Sequence, residues 1–249
     1  MDYPQELPSI KEDIEENRTK EWLAAHLWER FLETHTKNED FIKYKIFFFT
    51  DNFDSEKAVK IYESHVCSME GRGNGPVNPE QCEILKKITD AIQSYDSDPK
   101  SFQGFVGMLD APGGTGKTFL IETLDAYCAL PENNFLCLCS AFSGVAAQLL
   151  PNGVTIHRRF NMVPGMDPEQ NCNIDRGSTK AKLLEEARLI VMDEVTMMSK
   201  IDLERIDRTL RYLMKKEDVP FGGKVIILSG DFRQILPVEK IHLILVIRV

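Results

Sequence analysis

The chain has 249 residues, 43% of them hydrophobic and 28% charged, with 15 Gly and 12 Pro. That profile supports a substantial buried core and excludes collagen, low-complexity and largely disordered chains. Its net charge of −9 excludes a polycation, so any nucleic-acid contact must come from local basic clusters.

The charge is uneven: residues 1–75 hold 10 Lys and Arg against 16 Asp and Glu, and residues 76–249 hold 20 against 23. No apolar run reaches the roughly 18 to 20 residues that cross a bilayer. The acidic N-terminus also lacks an apolar signal core, so an intracellular protein without a membrane partner is expected. Six cysteines are too sparse for a disulfide scaffold. Cys137 and Cys139, in FLCLCS, lack the spacing of a zinc knuckle. All six are expected to be reduced and mostly buried, with no structural metal.

In chain order, Glu21–Leu32 carries Trp22, Leu23, Leu27, Trp28, Phe31 and Leu32 at helical spacing. The stretch FIKYKIFFFTDNF that follows is aromatic and strand-like. No catalytic constellation falls in residues 1–75, which read as an accessory or docking segment with unidentified partners. GRGNGPVNP at 71–79 marks a boundary. Beyond it, strands are expected at Phe105–Leu109, Phe135–Cys139, Leu189–Met192 and Val225–Leu228. Helices are expected at Pro79–Ile92, Thr118–Tyr127, Thr179–Ala187 and Lys200–Met214. Strands alternating with helices imply a parallel sheet covered on both faces, an α/β fold preceded by a small α+β segment.

Three elements carry chemistry. FVGMLDAPGGTGKTFLIETL, residues 105–124, runs from an apolar strand through a Gly-rich turn into a helix, the context of a phosphate-binding loop. Gly113, Gly114, Thr115 and Gly116 offer backbone N–H groups to phosphate oxygens at a helix N-terminus. Lys117 supplies a point charge and the Thr118 hydroxyl is a ligand for Mg²⁺. The first Gly of the strict pattern is Ala111. Next, LIVMDEVTMM delivers Asp193 and Glu194 at the C-terminal end of a buried strand, where open parallel sheets bind ligands. Asp193 would hold hydrated Mg²⁺, and Glu194 would orient and deprotonate an attacking water. Finally, KVIILSGDFRQILPV places Gln234 just past another strand, within reach of a γ-phosphate, before Pro237. These residues point to a P-loop NTPase using ATP and Mg²⁺.

The segments DAPGGTGKT, SAFSGVAAQLLPNGVTIHRRF, CNIDRGSTKAKLLEEARLIVMDE and GGKVIILSGDFRQILPV, in this order, resemble the petite-integration-frequency (Pif-type) DNA helicases of superfamily 1B, in their helitron-associated branch. The resemblance covers residues 76–238 and implies a RecA-like first motor domain there. It implies ATP-driven 5′-to-3′ unwinding of DNA in repair, recombination and telomere maintenance, acting on single strands or junctions in the nucleus or mitochondrion. Gln81 in NPEQ would contact adenine, although Asn78, Pro79 and Gln81 also fit an N-cap, N1 and N3 set. Ser143 and Gly144 match a segment that contacts the strand backbone. His157 and Phe160 match a second one, with Arg158 and Arg159 adding charge beside a stacking ring. Arg205, Arg208 and Arg211 read instead as a mixed solvated face opposite Leu203, Ile206, Leu210 and Leu213.

Two departures stand out. Val195–Thr196 replace the family's Ala-Pro after the acidic pair. The stretch 239–249, EKIHLILVIRV, is apolar and unlike the family, whose chain continues into a second motor domain with an arginine finger. A truncated module that binds ATP and DNA without helicase activity is therefore the alternative expectation. A small-molecule kinase fits less well, because TIHRRF and GDFRQILPV have no role in a phosphoacceptor site.

Overall fold

The computed structural model describes residues 55–72, 78–163 and 165–234. The expected helix at 21–32, the strand-like stretch at 41–53 and the apolar tail 239–249 lie outside the described residues. The elements in order are α1 (Ser55–Met69), α2 (Pro79–Ser97), β1 (Phe105–Asp110), α3 (Lys117–Cys128), β2 (Cys137–Ala141), α4 (Gly144–Gln148), β3 (Val154–Thr155), α5 (Ile156–Phe160), α6 (Thr179–Glu186), β4 (Leu189–Asp193), α7 (Lys200–Met214) and β5 (Val225–Gly230).

The five strands form one parallel sheet in the order β1-β5-β4-β2-β3, a RecA-like P-loop α/β fold. Alternation along each strand splits the core in two. Leu109, Cys139, Leu189, Val191, Val225 and Ile227 meet α1, α2 and α3 on one face. Leu138, Ile190, Met192, Ile226 and Leu228 meet α5, α6 and α7 on the other. With both faces covered, the central strands read as unbroken apolar runs.

Helix α1 is an element that the expected accessory segment did not reveal. It docks on the helix that follows the Gly-rich loop: Tyr62 and Val66 pack against the core, where Met69 is buried. His65 Nδ1 lies 2.8 Å from Thr123 Oγ1, and its ring stacks on Phe119 at 4.0 Å. The Thr123 hydroxyl already donates to Phe119 O (2.7 Å), so the Nδ1 nitrogen is the donor.

Other boundaries moved for local reasons. Helix α2 runs past Ile92 because Tyr95 is buried, while Ser94 and Ser97 return their hydroxyls to Asp90 O and Gln93 O (2.8 Å each). Strand β2 starts two residues late and takes in Ser140, whose buried hydroxyl donates to Val191 O (3.0 Å). Strand β3 and helices α4 and α5 are too short for a periodic pattern, but Ser143 and Thr155 cap the two helices by accepting from Ala146 N and Arg158 N (3.2 Å each).

Of the three arginines of α7, Arg205 leaves the expected solvated face, while Arg208 and Arg211 stay half-exposed and bond to nearby carbonyls. Arg205 is only 4% exposed; it pairs with Asp202 (2.7 Å) and donates to the carbonyls of Gln170 (3.1 Å) and Asp167 (3.2 Å). Arg208 donates to Pro168 O (2.6 Å). Arg211 pairs with Asp207 (2.8 Å) and donates to Glu217 O (2.9 Å). A guanidinium carries enough donors to tie down loop carbonyls that no strand pairs, so the row clamps loops.

Lys224, opening β5, is fully buried. Its ammonium donates to Tyr95 Oη (3.0 Å), Glu185 O (2.5 Å) and Ala187 O (2.9 Å), joining α2 to the carbonyl end of α6. Burial lowers its pKa to about 7.

Candidate functional site

Strands β1, β5 and β4 lie side by side and end together. Asp110 is paired with Gly230, and Met192 with Leu228. The turns leaving these three strands therefore meet at one edge, and they carry the Gly-rich loop, the acidic pair and Gln234.

The Gly-rich loop runs from Ala111 to the N-terminus of α3. Gly116 is the N-cap residue in the left-handed region (φ 91°, ψ 20°), with no side-chain cap. The first N–H groups of α3 are thus left for a ligand. A Cβ placed at Gly113 or Gly114 would meet nothing within 4 Å, so the loop faces open space as a phosphate cradle must. Thr115 Oγ1 donates to Pro112 O (2.8 Å) and holds the turn. Lys117 Nζ donates to Ala111 O (2.5 Å) and Pro112 O (2.9 Å), so its ammonium already lies against the loop. Thr118 follows in the first helical turn.

Gln81 reaches the same loop. Asn78 Oδ1 accepts from Gln81 N (3.2 Å) with Pro79 at the first helical position, as the capping pattern anticipates. The Gln81 side chain does not fold back on its own helix. Its Nε2 donates to Thr115 O (3.2 Å) and lies 2.5 Å from where a Gly116 Cβ would stand. Gln81 thus meets both the cap and the phosphate loop.

At the end of β4, Glu194 adopts φ 55°, a conformation that disfavours side chains other than glycine. Two bonds hold it there: its N–H donates to Asp193 Oδ1 (2.9 Å), and its carboxylate accepts from Ser143 N (3.2 Å). The 3-10 turn Val195–Met197 follows, and Thr196 packs close over Gly230. Past β5, nearly buried Asp231 accepts from Arg233 N (3.0 Å) and from Gln234 Nε2 (3.1 Å). Gln234 is therefore oriented by Asp231, which the sequence reading did not single out. An open cradle, an ammonium, a hydroxyl and a carboxylate make a donor set suited to a Mg²⁺–nucleotide.

The second group of expected residues divides. Ser143 caps α4 with its hydroxyl and gives its N–H to Glu194, and Gly144 is exposed beside it. Half-buried His157 stands edge-to-face with Phe142 at 5.5 Å. It lines a hollow of about 300 Å³ with Met162, Met166, Asp202 and Arg205. Arg158 is exposed. Phe160 is a correction: it is completely buried in the core beneath α5, so its ring has no face to offer a base. Arg159 is likewise committed inward, donating to Cys139 O (3.0 Å) and Asn152 O (3.4 Å).

The PIF1-like helicase family profile matches residues 76–242. The chain belongs to that family. Among curated PIF1-like relatives, it is 28% identical over 132 residues to the ATP-dependent DNA helicase Pif1 of Psychrobacter sp. (strain PRwf-1), covering 52% of this chain and 19% of the relative. It is 30% identical over 129 residues to the human ATP-dependent DNA helicase PIF1, covering 51% and 19%. The chain spans about a fifth of the length of these relatives. A crystal structure of Pif1 helicase from Candida albicans shares the fold, with a TM-score of 0.50 and 23% identity over 66% of this chain and 34% of that one.

Beyond the motif residues of this PIF1-like chain, Asp110 accepts from Phe232 N (3.3 Å) and ties the exit of β1 to the turn carrying Gln234. Ser229, one residue before Gly230, has a buried hydroxyl that finds no partner within the described residues. Asp110 could be read from its place at the end of an apolar run. Ser229 gave no signal, because a serine inside such a run looks like ordinary strand.

Proposed function

We propose that this chain carries the first motor domain, residues 76–238, of an ATP-dependent DNA helicase of the PIF1-like family. On this reading residues 1–75 are an accessory segment. ATP hydrolysis drives 5′-to-3′ unwinding from single strands or junctions, in nuclear repair, recombination and telomere maintenance. The observation carrying the reading is the convergence at one sheet edge of the open Gly-rich loop with Lys117, the Asp193–Glu194 pair and Asp231-held Gln234.

Gln81, above Thr115, takes the adenine end of ATP. Gly113, Gly114, Thr115 and Gly116 give backbone N–H groups to the phosphates, and Lys117 exchanges loop carbonyls for phosphate oxygens. Thr118 and Asp193 would hold Mg²⁺, which neutralises charge on the β- and γ-phosphates. Glu194 accepts the proton of the attacking water, and Gln234 reaches toward the γ-phosphate. Ser143, Gly144, His157 and exposed Arg158 line the path for the strand, with the phosphate-facing work falling to backbone N–H groups and Arg158.

The test is titration of the 249-residue chain with a fluorescent ATP analogue and, separately, with labelled single-stranded DNA at several salt concentrations. ATP binding is expected to need Mg²⁺ and to vanish in Lys117→Ala. Strand affinity is expected to fall linearly on a log–log plot against salt. Equal ATP binding by wild type and Lys117→Ala, or strand binding insensitive to salt, overturns the reading.

A further inference from the structure

At the far end of α3 from the phosphate loop, Asp125 and Cys128 stand one turn apart on the helix face that packs on β2. On the facing side of that strand, Cys137 and Cys139 point the same way, two residues apart. The ligand atoms of Asp125, Cys137 and Cys139 all lie within 4.8 Å of one another. Cys128 is wholly buried and adjoins Cys137. We propose that Asp125, Cys137 and Cys139 bind one Zn²⁺ ion, with Cys128, which stands outside that close set, turning in beside Cys137 as the fourth ligand.

Three features carry the assignment. The two strand sulfurs are 3.8 Å apart, and zinc–sulfur bonds of about 2.3 Å at the tetrahedral angle place two ligands roughly 3.8 Å apart. Two thiols and one carboxylate stand together as they are, and rotation of the buried Cys128 side chain supplies the fourth donor that structural zinc takes. In addition, Asp125 is only 6% exposed, and no Lys or Arg among the described residues forms an ion pair with it. A carboxylate buried without a partner cation is costly, and coordination to a dication satisfies its oxygens, leaving the site net negative once the thiols have deprotonated. The remaining negative charge faces Arg159, whose guanidinium is anchored on Cys139 O at 3.0 Å.

The pattern is local, D-x₂-C-x₈-C-x-C over residues 125–139. The C-x-C pair alone lacks knuckle spacing, and only the fold brings Asp125 and Cys128 against it. The ion would pin the end of the phosphate-loop helix to the strand that leads into Ser143. Half-buried Cys137 offers the way in.

The experiment is a Co²⁺ titration of the reduced, metal-stripped 249-residue chain, followed by back-titration with Zn²⁺. The expected result is one Co²⁺ per chain, with tetrahedral visible bands and a thiolate-to-cobalt charge-transfer band, both displaced by Zn²⁺. The charge-transfer band should disappear in Cys137→Ala and lose intensity in Cys128→Ala. Cobalt affinity should fall at least tenfold in Asp125→Asn and stay unchanged in Cys82→Ser and Cys172→Ser. Absence of the band in wild type, or its survival in Cys137→Ala, overturns the proposal. Should Cys137→Ala fail to fold, unchanged cobalt affinity in Asp125→Asn overturns it by itself. None of these readouts involves nucleotide or DNA, so the result stands apart from the helicase reading.

Discussion

Replacing Gly116 with alanine tests whether Gln81 and the phosphate loop act as one unit. Gly116 sits at φ 91°, where a side chain costs on the order of 1 kcal/mol. Its new Cβ would also stand 2.5 Å from Gln81 Nε2. The amide must then swing away and give up its bond to Thr115 O, a further loss of about 0.5–1 kcal/mol for an exposed hydrogen bond. Gly114 has φ 78° and open space around it, so Gly114→Ala carries the backbone cost alone. The expected losses are about 2 kcal/mol for Gly116→Ala and about 1 kcal/mol for Gly114→Ala, or melting-point drops of roughly 4–8 °C and 2–4 °C. Thermal unfolding of both variants, each with and without Gln81→Ala, gives the coupling directly. Removing Gln81 should recover about half of the Gly116→Ala loss and none of the Gly114→Ala loss. Equal losses for the two glycine variants, with Gln81→Ala simply additive to both, would refute the argument.

Phe160→Ala should cost about 3–5 kcal/mol, because the ring is fully buried, and it should leave the salt slope of strand binding unchanged; denaturant titration and anisotropy read the two effects. Ser143→Ala should destabilise by about 1 kcal/mol through the lost cap of α4, seen in chemical denaturation. Ser143→Pro also removes the N–H that Glu194 accepts, so it should lower single-turnover ATP hydrolysis further while leaving ATP affinity near that of Ser143→Ala. Lys224 titrates near 7 when folded and near its ordinary high value when unfolded. Its contribution to stability is thus fully present above the unfolded pKa and is lost as pH falls toward 7. In Lys224→Met, denaturation midpoints across pH 7–10 should lack a slope of up to about 1.4 kcal/mol per pH unit that wild type shows, and identical slopes would contradict that account.

Much of the sheet was legible because its central strands are unbroken apolar runs closed by polar turns, as LIVMD and KVIILSG are. Helix α7 was legible to the residue because Ser199 caps it and its apolar set repeats cleanly. What escaped were features set by tertiary contact. Helix α1 falls ahead of the GRGNGPVNP boundary, in the segment read as accessory, and its docking through His65 and Tyr62 is what sets it against α3. Phe160 shows why a motif match does not fix direction: the sequence puts an aromatic beside two arginines, while the turn of α5 sends the ring and Arg159 inward. Gln81 is the opposite case, a cap residue whose backbone role was readable and whose amide reach to Thr115 depends on how α2 lies across the loop.

The bond between Ser143 N and the Glu194 carboxylate has a consequence for how this fold can vary. It bridges the turns leaving two neighbouring strands, one bearing the acidic pair and the other the start of α4. A residue inserted or deleted in either turn would slide one end of that bridge and leave the left-handed glutamate held only by the Asp193 carboxylate and the turn to Met197. Loop length at both positions is therefore under joint restraint, and sequence drift there must be by substitution.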